Sequence, residues 1–95
     1  MQHNWSAERD GTLLQAQLRL TAQRLGQLQE KQDSQGQIAR KEITSLLNEG
    51  SDSNIALARA KAQHLIHEDS IGDILEALEM YVGLIVEHFN EIDQV

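Results

Sequence analysis

No proline occurs anywhere in the 95 residues. Proline is the residue that stops a helix from within, costing about 3 kcal/mol through a lost hydrogen bond and a clash with the preceding turn. Without it, helix length is limited only by glycine and by capping chemistry. The one clear break is Asn48-Glu49-Gly50-Ser51-Asp52-Ser53-Asn54, a glycine set among turn formers. The chain therefore reads as all-α: a polar leader over 1–10, a helix over about 12–48, a turn over about 49–53 and a second helix over about 53–93. Two long helices joined by so short a turn form an antiparallel hairpin, or open and pair with another copy into a bundle.

The end signals agree with this division. Thr12-x-x-Gln15 has the form of a capping box for the first helix, with Asp10 and Ser6 as alternatives. Gly50 is placed to take the left-handed conformation that ends a helix. Ser51, Asp52 or Ser53 is then available to accept from the free amides of the second. Trp5 falls in the leader and is expected to be a mobile terminal residue.

Apolar spacing supplies the seam. In the second helix Ile71, Leu75, Leu78, Val82, Ile85, Phe89 and Ile92 alternate in steps of four and three. Leu14, Leu18, Thr21, Leu25 and Leu28 follow the same rhythm in the first helix. Residues Gln29 to Gln37 hold no apolar side chain, so Gln32 and Gln35 occupy seam positions before the pattern resumes at Ala39, Ile43 and Leu46. The middle of the hairpin is expected to be weakly packed, with Gly26 and Gly36 each costing about 1 kcal/mol relative to alanine. The second helix also has apolar residues to spare. Ile74 and Tyr81 flank its seam, while Met80 and Leu84 fall near its acidic face, and one partner helix does not cover so wide a band.

Charge separates the helices. The net charge is −7, yet residues 11–41 carry Arg19, Arg24, Lys31, Arg40 and Lys41 against Glu30 and Asp33. Residues 62–95 carry Glu68, Asp69, Asp73, Glu76, Glu79, Glu87, Glu91 and Asp93 with no lysine or arginine. An acidic total argues against nucleic acid, whose phosphates require a surplus of bases. The basic first helix instead suits an acidic partner helix or, weakly, anionic lipid, with Arg19, Arg24, Arg40 and Lys41 as the candidate contacts.

Other chemistry has little to rest on. The chain has no cysteine, which removes disulfides and thiolate metal sites and fits a reducing compartment. Its longest apolar run, Met80 to Val86 with Gly83 inside it, is far short of the roughly 20 residues that span a bilayer, and no secretion signal opens the chain. His64 and His67 stand three apart beside Glu68 and Asp69 without a third fixed ligand group, and no Glu-x-x-His pair is present. No cofactor is expected. With no nucleophile elbow, phosphate loop or cysteine nucleophile, neither is an enzyme.

The residues also carry a family resemblance. Leu18-Arg19-Leu20, Arg24-Leu25, Leu28, Glu30-Lys31 and Ala39-Arg40-Lys41-Glu42-Ile43 resemble the first core helix of the increased-sodium-tolerance (Ist) proteins, ESCRT-III-like regulators of endosomal sorting. Ala58-Arg59, His64-Leu65-Ile66-His67-Glu68-Asp69 and Leu78-Glu79-x-Tyr81 resemble that family's second helix in the same order, so the likeness extends over about residues 8–92.

The resemblance implies a hairpin that forms the first part of an ESCRT-III-type core, with shorter helices folding back on it in other members. It implies binding to ESCRT-III subunits of the charged-multivesicular-body type, and regulation of the AAA ATPase that disassembles their filaments. The expected setting is cytoplasmic, peripheral to the endosomal membrane. In the family the ATPase is recruited through C-terminal helical motifs read by MIT domains, and these 95 residues are expected to be the hairpin portion alone. Three departures stand out: a turn region about three residues longer around Ser53 to Leu57, acidity in place of basic residues near Glu87-His88, and lost basic character over Gln32 to Gln37. From helix position alone, Ile74, Tyr81 and Leu84 are the candidate apolar contacts. The alternative function is a structural coiled-coil homo-oligomer with no sorting role.

Overall fold

A computed structural model describes residues 2–93, and the side chains of residues 9–91 within them. Two helices account for the described chain: α1 (Gln2–Glu49) and α2 (Asp52–Asp93). They form an all-α hairpin. No described helix is long and apolar enough to cross a membrane.

The helix α1 begins at Gln2, so the stretch read as a leader is helical and the capping positions Ser6, Asp10 and Thr12 lie inside the helix. Gly11 is no barrier, because a lone glycine in a helix costs about 1 kcal/mol and without proline the turns on either side propagate through it. The Trp5 side chain lies outside the described residues.

The turn is built by local chemistry. Gly50 adopts φ +70°, the left-handed region that a side chain disfavours, and its amide donates to the Leu46 carbonyl at 3.3 Å. Ser51 is the cap of α2: its Oγ accepts from the Asn54 amide at 3.2 Å, and its carbonyl accepts from the Ile55 amide at 2.9 Å. Asn54 Nδ2 donates back to Glu49 Oε2 at 2.6 Å, tying the two helix ends together. Asp52 places a negative charge in the first turn of α2, where the helix dipole favours it.

The chain divides into two compact units. One comprises Met1–Gln27 with Glu76–Val95, and the other Leu28–Leu75. In the Leu28–Leu75 unit the helices run antiparallel, with Lys61 Nζ 3.1 Å from Glu42 Oε2 and Gln32 Nε2 donating to Glu68 Oε2 at 3.4 Å. In the other unit the same sense appears where Gln15 Nε2 donates to Asn90 Oδ1 and where Gly26 lies against the Glu79 carboxylate.

The seam keeps the expected rhythm but shifts at every second position. Leu18, Leu25, Ile71, Leu75, Val82 and Phe89 are half-buried as expected. Leu14, Thr21, Leu28, Gln35, Leu78 and Ile85 are exposed, and their places are taken one residue further on by Gln15, Ala22, Gln29, Gly36, Glu79 and Val86. Ile92 lies outside the described side chains. Close approach explains the shift. Ala58 is only 2% exposed, Gly36 is buried, and a methyl group on Gly72 would stand 2.9 Å from Gln32 Oε1. Helices this near one another put small residues face to face and turn leucines to the edges. The polar groups drawn in are mostly answered by each other, as in Gln15 with Asn90 and Gln32 with Glu68.

Candidate functional site

The hairpin's inner surface mixes half-buried apolar side chains with small and polar ones, and many of its other large apolar side chains are exposed. Among the described residues Ala58 is the only buried hydrophobic one. Burial of apolar area is what stabilises a fold, at about 25 cal/mol per Å². A seam whose large apolar residues are only half-buried leaves part of that stabilisation unrealised in the free chain.

The exposed apolar residues have an order. Along α2 in the Glu76–Val95 unit, Leu78, Tyr81 and Ile85 are spaced by three and four, the same alternation as the seam itself. Each stands one position before a seam residue, Glu79, Val82 or Val86, so at 100° per residue this stripe is turned about 100° from the seam. Ile74 is 59% exposed and Tyr81 63%, while Leu78 and Ile85, nearer α1, are 46% and 45% exposed. Leu84, 55% exposed, extends the apolar arc on its far side and is joined there by Met80. Glu87 and Glu91 follow Leu84 by three and seven residues and set an acidic margin.

The basic candidates divide into two kinds. Arg19 Nη2 donates to Asn90 Oδ1 at 3.0 Å, sharing that oxygen with Gln15. Arg40 Nη2 meets Asp69 Oδ2 at 3.1 Å, an exposed pair of the sort worth at most about 1 kcal/mol. These two arginines are thus engaged within the hairpin. Arg24 and Lys41 are exposed on α1 and face solvent. Arg19 and Arg24 lie about 140° apart around α1, and the adjacent Arg40 and Lys41 about 100° apart on one turn, so neither pair forms a common patch.

The histidines are equally local. His64 Nε2 lies 3.7 Å from Glu68 Oε1, one turn along an exposed face. No cluster of three metal-ligating side chains occurs among the described residues. What the surface offers chemically is therefore shape, apolar area and charge.

A family model described as Ist1, regulator of Vps4 activity in the MVB pathway, matches residues 15–95. The chain belongs to the Ist1 family. The match takes in all of α2 and α1 from Gln15 onward, including the α1 and α2 strings that resemble the family in sequence. No solved structure matches the chain. The Ist1 description concerns regulation of an ATPase, which accords with a surface made for contact.

Sequence reasoning found Tyr81 and Ile74 as surplus to the seam, but it placed Leu78 and Ile85 inside. The signal that identifies them is on the partner helix: the small residues Ala22 and Gly26 mark the side of α1 that approaches α2, with Gly26 against the Glu79 carboxylate.

Proposed function

We propose that the chain is a non-enzymatic ESCRT-III-like protein that binds ESCRT-III subunits of the charged-multivesicular-body type. Through them it helps regulate filament assembly and the Vps4 ATPase in multivesicular body sorting. The observation that carries this reading is the exposure on α2 of Tyr81 and Leu84 in one unit, and of Ile74 in the other, in a chain of the Ist1 family. Helices with an uncovered apolar stripe are read by other helices through anchors at such spacing. The setting is the cytoplasmic side of the endosomal membrane, with peripheral contact through Arg24 and Lys41, the two exposed bases that face solvent.

Titration of the purified chain with a subunit of that type, followed by calorimetry, tests the proposal. Binding is expected in the micromolar range or tighter, about −8 kcal/mol or better, and a Tyr81→Glu, Leu84→Glu variant should lose at least tenfold. Equal binding by the variant would remove these residues from the interface, and no binding by the wild type would remove the function.

The heptad spacing of the same stripe favours a second reading, a structural homo-oligomer with no sorting role. Sedimentation with and without a subunit tail peptide separates the two. A stable oligomer indifferent to the peptide supports the structural reading.

A further inference from the structure

In the unit formed by Met1–Gln27 and Glu76–Val95, the acids of α2 gather on one side of the helix. Glu79 faces α1, with Gly26 against its carboxylate. Counted from Glu79 at 100° per residue, Glu76, Met80, Leu84, Glu87 and Glu91 fall between about 60° and 140° round the helix. Leu78, Tyr81 and Ile85 lie on the other side. The five residues follow one another in steps of four, four, three and four, so they make one continuous face in which two apolar side chains stand between acids. Met80 is 61% exposed and Leu84 55%, and all three glutamates are exposed.

The unit does not neutralise this face itself. Among the described residues no ion pair engages Glu76, Glu87 or Glu91. Arg19 stands at the adjoining edge, where its Nη2 donates to Asn90 Oδ1 at 3.0 Å. Arg24 is two residues from the seam residue Ala22 and so lies on the side of α1 turned away from α2. Arg9, six residues before the Gln15 that meets Asn90, lies past Asn90 towards the end of α2.

We propose that this face binds a basic amphipathic helix of another protein. Such a helix carries two large apolar side chains one turn apart, which lie on Met80 and Leu84, and lysine or arginine about a turn beyond them at both ends, which meet Glu76 on one side and Glu87 and Glu91 on the other. The inference rests on the reading of α2 as a contact surface for a partner subunit and names the chemistry of the helix it takes. From Glu76 to Glu91 the face is about 22 Å long, so the partner segment has about four turns. The thioether of Met80 adapts to apolar side chains of different shape, while the acids select for charge. Two acids at one end against one at the other orient the segment, with its more basic end over Glu87 and Glu91. A second copy of this chain offers no such helix in this unit, because Arg19 and Arg24 lie about 140° apart on α1. Anionic lipid is repelled by the same acids.

Two peptides of 18 residues test this on the full chain. Both are helical and carry leucines four positions apart; one has lysines a turn to either side of them and the other has glutamates there. By fluorescence anisotropy the lysine peptide is expected to bind with a dissociation constant below about 100 μM, and the glutamate peptide at least tenfold more weakly. The double variant Glu87→Lys, Glu91→Lys should lose at least tenfold for the lysine peptide and gain for the glutamate peptide. Glu30→Lys, Asp33→Lys changes the net charge equally on α1 and should shift binding by no more than about threefold. Met80→Ser, Leu84→Ser keeps every charge and should weaken the lysine peptide at least tenfold, with the helical circular dichroism unchanged because both side chains are exposed. No binding of the lysine peptide at about 100 μM, equal binding of both peptides, or equal weakening by the two lysine double variants would each overturn the proposal. Titration with an ESCRT-III subunit separates this inference from the function it rests on. A subunit that binds the wild type and the Glu87→Lys, Glu91→Lys variant alike overturns the acidic face and leaves the function standing, whereas the expected peptide behaviour without subunit binding supports the face and removes the function.

Discussion

The same substitution at three glycines should change stability in three different ways, and the difference measures how closely the helices approach. Gly83 has nothing within 4 Å of where a Cβ would sit. Alanine there brings only the helix-propensity gain of about 1 kcal/mol, which in a domain of this size raises Tm by roughly 4–8 °C. Gly72 gains the same propensity, but its new methyl would stand 2.9 Å from Gln32 Oε1, a buried oxygen with no hydrogen-bond partner. The amide must swing away and loosen its 3.4 Å bond to Glu68, and losing a hydrogen bond of this kind costs about 1 kcal/mol. The two effects nearly cancel, and Gly72→Ala is expected within about 0.5 kcal/mol of the parent. Gly50 at φ +70° takes a penalty of about 1 kcal/mol or more for a side chain in the left-handed region, with no compensating gain. Urea unfolding followed by circular dichroism, at one fixed protein concentration, reads all three. If Gly72→Ala stabilises as much as Gly83→Ala, the helices do not approach at Gly72 and the small-residue account of the seam fails.

Three further substitutions probe single features. Ser51→Ala removes the acceptor for the Asn54 amide and should cost about 1 kcal/mol in the same unfolding assay, with Ser53→Ala costing clearly less. Ala58→Leu forces a large side chain into a position 2% exposed and should destabilise by about 1–3 kcal/mol, whereas Ala60→Leu on the exposed side of α2 should be close to neutral. Lys61→Ala breaks an ion pair with Glu42 that is largely solvent-exposed, so its cost should stay below about 1 kcal/mol at low salt and shrink further in high salt.

The helices and the turn were legible because each rests on local chemistry. The absence of proline, the placement of Gly50 and the serines that follow it decide where a helix can and cannot run, without reference to anything distant in sequence. Among Ser51, Asp52 and Ser53 the sequence left the cap open, since each has an acceptor oxygen, and the structure selects Ser51 through its Asn54 contact. The register was only half legible for a different reason. Choosing the most apolar residue at each heptad position assumes that the seam is where hydrophobic burial is greatest. In this chain α1 and α2 meet over Ala22, Gly36, Ala58 and Gly72, so Leu14, Leu28, Leu78 and Ile85 turn to the edge. A glycine that weakens a helix as an isolated element can mark the face on which two helices come closest, and helix propensity alone does not convey this.

The surface follows from the seam. Had Leu78 and Ile85 been inside, the residue stripe around Tyr81 would be two exposed side chains beside a satisfied core. With them at the edge, Leu78, Tyr81 and Ile85 form one exposed stripe with the spacing of a second seam. One surface of this kind cannot hold a second copy and an ESCRT-III subunit at the same time. The two proposed readings, self-pairing and subunit binding at Tyr81, would therefore compete, each weakening the other in proportion to its own affinity and concentration, by simple mass action. The acidity of α2 biases the contest. Beside so acidic a helix, a basic partner helix is favoured over an acidic one. The uneven division of charge between the two helices thus acts on which partner occupies the stripe, while the small residues of the seam ensure that there is a stripe to occupy.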